Sequence, residues 1–277
     1  MTTLRPKKSL GQHFLTDPNI IRNIVGLLDP QPGDTVVEIG PGEGALTGLL
    51  ADSGARVIAV DVDRRAVSHL ERMLDTRENV SVRHGDILTL DLTALSREAA
   101  APLRVIGNLP YNITSQILFH VFAHRRAVHD CVLMMQREVA LRLVSAPKSK
   151  DYGILAVMTQ LNTRVEHAFR VSPNVFTPRP AVWSSVVRMV MRHDDDGRPR
   201  DEEFFRAFVR AAFGKRRKVM SNSIKDLGID PHALPAAFAE VMRLRPEQLS
   251  IPELVALSDA LQPYRLPSPA SQPERAP

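Results

Sequence analysis

Residues 107–112 read GNLPYN directly after the apolar run LRVI. An amide, a proline and a phenol are thereby crowded at the end of a strand-like segment. Strand ends of open α/β sheets face the crevice where ligands bind, so this hexapeptide is a candidate to hold one. Acids mark three other apolar runs: Glu38 lies in TVVEIG, Asp61 in RVIAVDVD, and Asp86 at the end of VSVRHGDI. A carboxylate in the position of Asp61 can accept hydrogen bonds from both hydroxyls of a ribose. Asp86 is suited to accept from the amino group of an adenine. One surface acid carries little information; three at the same edge of one sheet point to a ligand. Between the first run and the following helix, Gly40-x-Gly42-x-Gly44 allows a tight turn and close approach of backbone to that ligand. Its third glycine comes one residue earlier than in the dinucleotide pattern, and no Lys-Ser/Thr follows, which disfavours dinucleotides and nucleoside triphosphates.

The elements that must position these groups are legible in the hydrophobic pattern. Asp17-Pro18 supplies an N-cap and a proline at the first helical position, predicting a helix through NIIRNIVGLL. TVVEIG, RVIAVDVD, VSVRHGDI, LRVIGNLPYN and DCVLMMQ predict strands. Helices are expected over ALTGLLADSG, stopped by Gly54, then over RRAVSHLERML, SQILFHVFAH and REVALRLVSA. Such alternation implies βαβ units and a parallel sheet. From Asp151 the rhythm changes. YGILAVMTQLN predicts a helix, and TRVEHAFRV and SSVVRMVMR predict an antiparallel hairpin at the sheet edge, around the proline-rich SPNVFTPRPAVW. The total is a mixed sheet of about seven strands. RHDDDGRPRD reads as a linker, after which EEFFRAFVRAAFG aligns Phe204, Phe208, Ala211 and Ala212 on one helix face. Further helices follow to about Leu261, and PYRLPSPASQPERAP is expected to be disordered.

Composition bounds the function. With 277 residues, 44% of them hydrophobic, the chain can build a main domain and a smaller one. No apolar run approaches the ~20 residues of a membrane span, and MTTLRPKKSLGQHFL lacks the apolar stretch and cleavage site of a signal peptide. The single cysteine, Cys131 in CVLMM, reads as a buried inert thiol, and no disulfide framework is possible. A cytosolic protein is expected. A net charge of +5 permits a polyanionic partner. The cations gather at Arg5, Lys7 and Lys8 and at Lys215-Arg216-Arg217-Lys218; on charge alone the second run is a solvated helix face.

The ligand implied by the acids carries ribose and adenine without needing a pyrophosphate, and S-adenosylmethionine fits that description. EIGPGEG, VDVD, HGDI and GNLPYN, in this order, resemble the class I S-adenosylmethionine-dependent methyltransferases, whose sheet is Rossmann-like. With KKSLGQHFL, SKDYGILAV, VFTPRPAV, KRRK and RPEQLSIPEL they resemble, more narrowly, the ribosomal RNA adenine dimethyltransferases. The match runs from about Lys7 to Leu261. It implies a cofactor-binding catalytic domain over residues 1–195, a helical RNA-binding domain over 200–262 and a disordered tail over 263–277. It also implies cofactor contacts at His13, Leu15, Gly40, Asp61, Asp86 and Asn108, with the N-terminal segment folding over the cofactor. Many relatives carry Glu where this chain has Asp61, one methylene shorter with the same acceptors. The resemblance involves no metal.

The same resemblance assigns methylation of exocyclic amino groups to Asn108-Leu109-Pro110-Tyr111. Adenine N6 is a poor nucleophile because its lone pair is conjugated with the ring. The Asn108 side-chain oxygen and the Leu109 carbonyl would accept from its N–H groups, Pro110 has no N–H to compete, and Tyr111 offers a ring for stacking. By the resemblance Phe176 would face the other side of the base; read from the residues alone it is equally a core residue anchoring the proline-rich loop. Lys215, Arg216, Arg217, Lys218 and Asn222 would hold the RNA backbone, positioning without specifying. Relatives often have Lys and Asp where this chain has Ala181 and Trp183. The implied activity is dimethylation of two adjacent adenines in a hairpin near the 3′ end of small-subunit (16S) ribosomal RNA, by a monomer acting on the RNA or an immature subunit. The competing readings are a large-subunit RNA methyltransferase conferring antibiotic resistance, a non-catalytic assembly factor, and a DNA adenine methyltransferase.

Overall fold

The computed structural model describes residues 4–7, 10–215 and 218–265. The chain divides into two compact units, Met1–Val144 with Met158–His193, and Ser145–Val157 with Asp194–Pro277.

The first unit is built on a seven-stranded sheet: β2 (Thr35–Ile39), β3 (Arg56–Asp61), β4 (Val80–His84), β5 (Leu103–Asn108), β6 (Val128–Gln136), β7 (Thr163–Val171) and β9 (Ser184–Met191). Their order is β4-β3-β2-β5-β6-β9-β7. The first five are parallel, whereas β9 is antiparallel to both β6 and β7. The seven-strand count and the antiparallel edge hairpin expected from the sequence are both present. Every residue of β2 is buried, as befits a central parallel strand covered on both faces.

Helices α1 (Pro18–Leu28), α2 (Thr47–Asp52), α3 (Arg64–Met73), α5 (Thr114–Ala123) and α6 (Arg137–Leu143) fall where the pattern predicts them. Asp17 caps α1 by accepting from the N–H groups of Asn19 and Ile20. The sequence reading missed α4 (Leu92–Ala99), a short helix whose periodicity is carried by only two buried residues, Leu92 and Leu95. It also missed a second, two-stranded sheet. There β1 (Phe14–Leu15) pairs antiparallel with β8 (Phe176–Thr177), setting Phe14 opposite Thr177 and Leu15 opposite Phe176.

At the strand ends remote from these turns, one guanidinium ties several elements together. Arg104 donates from Nε and Nη2 to the buried Asp130 carboxylate (2.8 and 2.6 Å) and from Nη1 to Asp34 (2.9 Å). It also donates to the carbonyls of Leu28 and Asp29 at the end of α1.

In the second unit, α8 (Glu202–Gly214) buries Phe204, Phe205, Phe208, Val209, Ala212 and Phe213, a wider stripe than the face predicted. Ala211 is only half-buried. Helix α7 (Ile154–Asn162) begins in this unit, and α9 (Met220–Ser223), a series of 3₁₀ turns and α10 (Ile251–Leu261) follow α8. Pro263 and Tyr264 do not join a disordered tail: they form a 3₁₀ turn, and the Tyr264 ring meets Phe238 edge-on at 5.8 Å. The rest of the expected tail, 266–277, lies outside the described residues.

Removing Arg104 leaves the fully buried Asp130 without its bidentate partner. Arg104→Ala is expected to lower the unfolding free energy by about 3–5 kcal/mol, read from urea denaturation; a loss within experimental error would refute the clamp.

Candidate active site

The sheet order reverses between β2 and β5, and ligands of open α/β sheets sit outside the carboxyl ends of strands at such a switch. The two strands approach so closely there that a Cβ on Gly107 would lie 2.6 Å from the Ile39 carbonyl oxygen. A cavity opens at this point, lined by Gly40, Gly42, Asp61, Asp86 and Asn108–Tyr111 from the sheet edge and by Leu10–Leu15 from the N-terminal segment. Gly42 has φ +57°, and a Cβ there would fall 2.9 Å from the Phe14 ring. The turn therefore needs glycine both for its backbone and for the strand laid against it.

The acids differ in environment. Asp61 is buried, accepting from the Asp63 N–H on Oδ1 (2.8 Å) and the Gly42 N–H on Oδ2 (3.2 Å). Burial raises its carboxyl above the ordinary value, and those amides offset part of the rise. Asp86 is exposed at the rim, where Oδ1 caps a 3₁₀ turn through the Leu88 N–H (2.9 Å). Glu38 is buried within β2, and its Oε2 has no hydrogen-bond partner among the described residues. Burial pushes its carboxyl up to about 8, with Asp61 adding to the rise and the nearby Thr47 hydroxyl opposing it. Glu38 was noted in the sequence but not placed in the site; its burial is what marks it.

Asn108 ends β5, and its Nδ2 donates to the His13 carbonyl at 2.9 Å. A carbonyl only accepts, so the amide is held with Oδ1 as the remaining acceptor at the cavity wall. The Leu109 N–H is taken by the Met134 carbonyl (2.9 Å), extending the ladder beyond β5. Pro110 presents its carbonyl to the Thr114 hydroxyl (3.0 Å) at the start of α5. Tyr111 is half-buried, its hydroxyl 2.7 Å from the buried Ser184 Oγ and its ring stacked against His13 at 5.6 Å between centroids. Burial raises the phenol's pKa.

The N-terminal segment is latched over the cavity. Leu4 N–H donates to Glu43 (2.8 Å), and Lys7 Nζ and Gln12 Nε2 reach Asp63 at 3.5 and 3.3 Å. Asp63 also binds Arg65 (2.6 Å), which holds its carboxyl well below the usual range. His13 Nδ1 lies 2.7 Å from the Pro178 carbonyl oxygen. Sequence reasoning passed over Asp63, whose only signal was its place in VDVD.

Phe176, expected at the base, is buried here. Its pairing opposite Leu15 turns the ring into the core, where both are buried among residues such as Ile24, Val171 and Val186. It does not line the cavity. In the second unit Lys215, Lys218 and Asn222 are exposed, and Lys215 is paired with Asp226 at 2.6 Å. Arg216 and Arg217 lie outside the described residues. Cys131 is buried, as expected.

A family model described as ribosomal RNA adenine dimethylase matches residues 3–248. The chain belongs to this family. It is 43% identical over 256 residues to ribosomal RNA small subunit methyltransferase A of Chlorobium chlorochromatii, covering 92% of this chain and 94% of that protein. To the protein of the same name from Aromatoleum aromaticum it is 40% identical over 268 residues, covering 94% and 95%. A solved dimethyladenosine transferase from Plasmodium falciparum shares the fold, with a TM-score of 0.74 at 23% identity over 90% of this chain and 97% of that one. The 23S rRNA methyltransferase ErmE superposes with a TM-score of 0.63 at 27% identity, covering 88% and 99%. The family and fold class read from the sequence are borne out. This adenine dimethylase is an enzyme, and no helix among its described residues is long and apolar enough to cross a membrane.

Glu38 gives a signed pH dependence. The unfolded carboxyl titrates near 4.5 and the folded one near 8, so the folded state binds the extra proton between those values. The group therefore costs nothing below about pH 4.5 and destabilises the fold increasingly up to about pH 8. Glu38→Gln, neutral throughout, is expected to gain stability over the parent as pH rises from 5 to 8.5, by on the order of a few kcal/mol. A stability difference that does not vary with pH contradicts this.

Proposed function

We propose that this chain transfers methyl groups from S-adenosyl-L-methionine to N6 of two adjacent adenines in the 3′-terminal hairpin of small-subunit (16S) ribosomal RNA, forming N6-dimethyladenosines during ribosome assembly. The observation that carries the chemistry is the oriented amide of Asn108, fixed by His13 with its oxygen left as an acceptor at the cavity wall. The names of the relatives support the small subunit over the large.

The residues present fit the donor. Asp61 has acceptor capacity for a ribose, Asp86 an oxygen for an adenine amino group, and Gly40 and Gly42 bring side-chain-free backbone to the cavity wall. Glu38 borders the cavity, and its Oε2, unpartnered among the described residues, is available to hydrogen-bond the ligand. His13 and Leu15 close the cavity from the N-terminal side, and Gly40 borders it on the other. When bound, the donor supplies an electrophilic methyl group on a sulfonium.

The chain's own contribution is positioning and hydrogen-bond acceptance. Asn108 Oδ1 and the Leu109 carbonyl accept from the N6 hydrogens, which draws lone-pair density back toward the nitrogen and aims it at the methyl group. The amino proton is lost after attack, so no strong base is required. Tyr111, held by Ser184, offers the base its ring face not taken by His13. Stacking of ~1–3 kcal/mol per base helps offset the few kcal/mol of taking a nucleotide out of its stack. Orientation supplies most of the rate. Residues 1–195 carry the cofactor and chemistry; the helical region 200–262 binds RNA backbone through Lys215, Arg216, Arg217, Lys218 and Asn222. The substrate is the RNA or an immature small subunit, and the enzyme acts as a cytoplasmic monomer.

A labelled-methyl assay on undermethylated small subunits, large subunits and DNA, mapped by primer extension, tests the reading. Label is expected at two adjacent small-subunit adenines, and Asn108→Ala should lower kcat/KM by about 100-fold or more while particle binding persists. Label only on DNA or large-subunit RNA, or full activity in the variant, would overturn it.

A further inference from the structure

The loop between β8 and β9 carries an exposed aromatic that methyl transfer leaves without a role. Trp183, the only tryptophan of the chain, is 45% exposed, and Val182 beside it is 41% exposed. The backbone there is anchored: the Trp183 carbonyl accepts from the Arg137 N–H at 2.9 Å. Arg170, itself exposed, places its guanidinium over the indole, 5.3 Å from the ring centroid. Arg179, in the same loop, is also exposed.

The loop borders the catalytic cavity at both ends. Its first residue, Pro178, meets His13, and the residue after Trp183 is Ser184, which holds the Tyr111 hydroxyl. One peptide link and one hydrogen bond therefore separate the indole from the ring assigned to the target base. Phe176, the second aromatic expected at the base, is buried in the core. An indole with the Arg170 guanidinium over its ring and an exposed Arg179 in the same loop combines a sequence-tolerant stacking surface with phosphate-pairing charge, the chemistry that holds unpaired nucleotides. The patch is two residues wide and edged with positive charge, which suits a nucleotide better than the apolar face of a protein.

We propose that Trp183 contacts the substrate, stacking the unpaired base next to the adenine held at Asn108, with Arg170 and Arg179 pairing the adjoining phosphates. The proposal rests on the RNA reading of the site. When the target adenine enters the cavity, its neighbour loses one stacking partner, and the indole replaces it.

The test combines kinetics and fluorescence in the full-length chain. On undermethylated small subunits, Trp183→Ala is expected to raise KM about 5- to 100-fold with kcat changed far less, and Trp183→Phe to restore most of the loss. Thermal stability should stay that of the parent, because the side chain is exposed. An RNA hairpin carrying two adjacent unpaired adenines should quench the single tryptophan, saturating together with the anisotropy of a labelled copy; a fully paired duplex should not. An unchanged KM in Trp183→Ala, or no quenching at RNA concentrations that saturate the anisotropy, overturns the proposal. So does a KM defect that Phe fails to rescue. If the parent methylates small subunits while Trp183→Ala matches it, this inference alone fails; if the parent does not methylate them, the RNA reading fails with it.

Discussion

At Asn108 a single hydrogen bond decides which end of a side-chain amide faces which way. The His13 carbonyl can only accept, so Nδ2 turns toward it and Oδ1 remains the acceptor at the cavity wall. The same bond joins the N-terminal segment to the end of β5, and β1 reaches the structure through its pairing with β8. Orientation of the amide and closure of the cavity are therefore one event. A chain lacking that segment would keep its sheet and lose the partner that aims the amide.

The cavity itself follows from the sheet. Reversal of strand order between β2 and β5 opens a crevice, and Gly107 lets the two strands pinch without a side chain between them. Two of the acids at this edge, Glu38 and Asp61, are buried, which costs stability. Glu38 shows the cost most plainly, buried and without a partner for Oε2 among the described residues. Asp61 is spared part of it by the amides of Gly42 and Asp63. At the opposite edge the buried acid is paired: Arg104 satisfies Asp130, Asp34 and the end of α1.

Much of this was legible in the sequence because the central strands are continuous β-branched runs and the helices between them have strong apolar faces. The strand ends, and with them Asp61, Asp86 and Asn108, could be placed from pattern alone. What escaped has physical reasons. Two-residue strands such as β1 and β8 have no periodicity, so the pairing that seats His13 beside Asn108 leaves no local trace. The inward turn of Phe176 accompanies that pairing; the sequence had left a core position and a place at the base equally open. Latching of Lys7 and Gln12 onto Asp63 is likewise a contact across some fifty residues of chain. Trp183 was visible only as a departure from relatives; its exposure and its arginine neighbour belong to the tertiary structure.

The central claim concerns where the target nitrogen lies, and a crystal structure of the chain with S-adenosylhomocysteine and a short RNA carrying the target adenines addresses it directly. The account predicts N6 within hydrogen-bond distance of both Asn108 Oδ1 and the Leu109 carbonyl, with Nδ2 still donating to His13. An N6 facing other groups, or an Asn108 amide released from His13 and reversed, would contradict it.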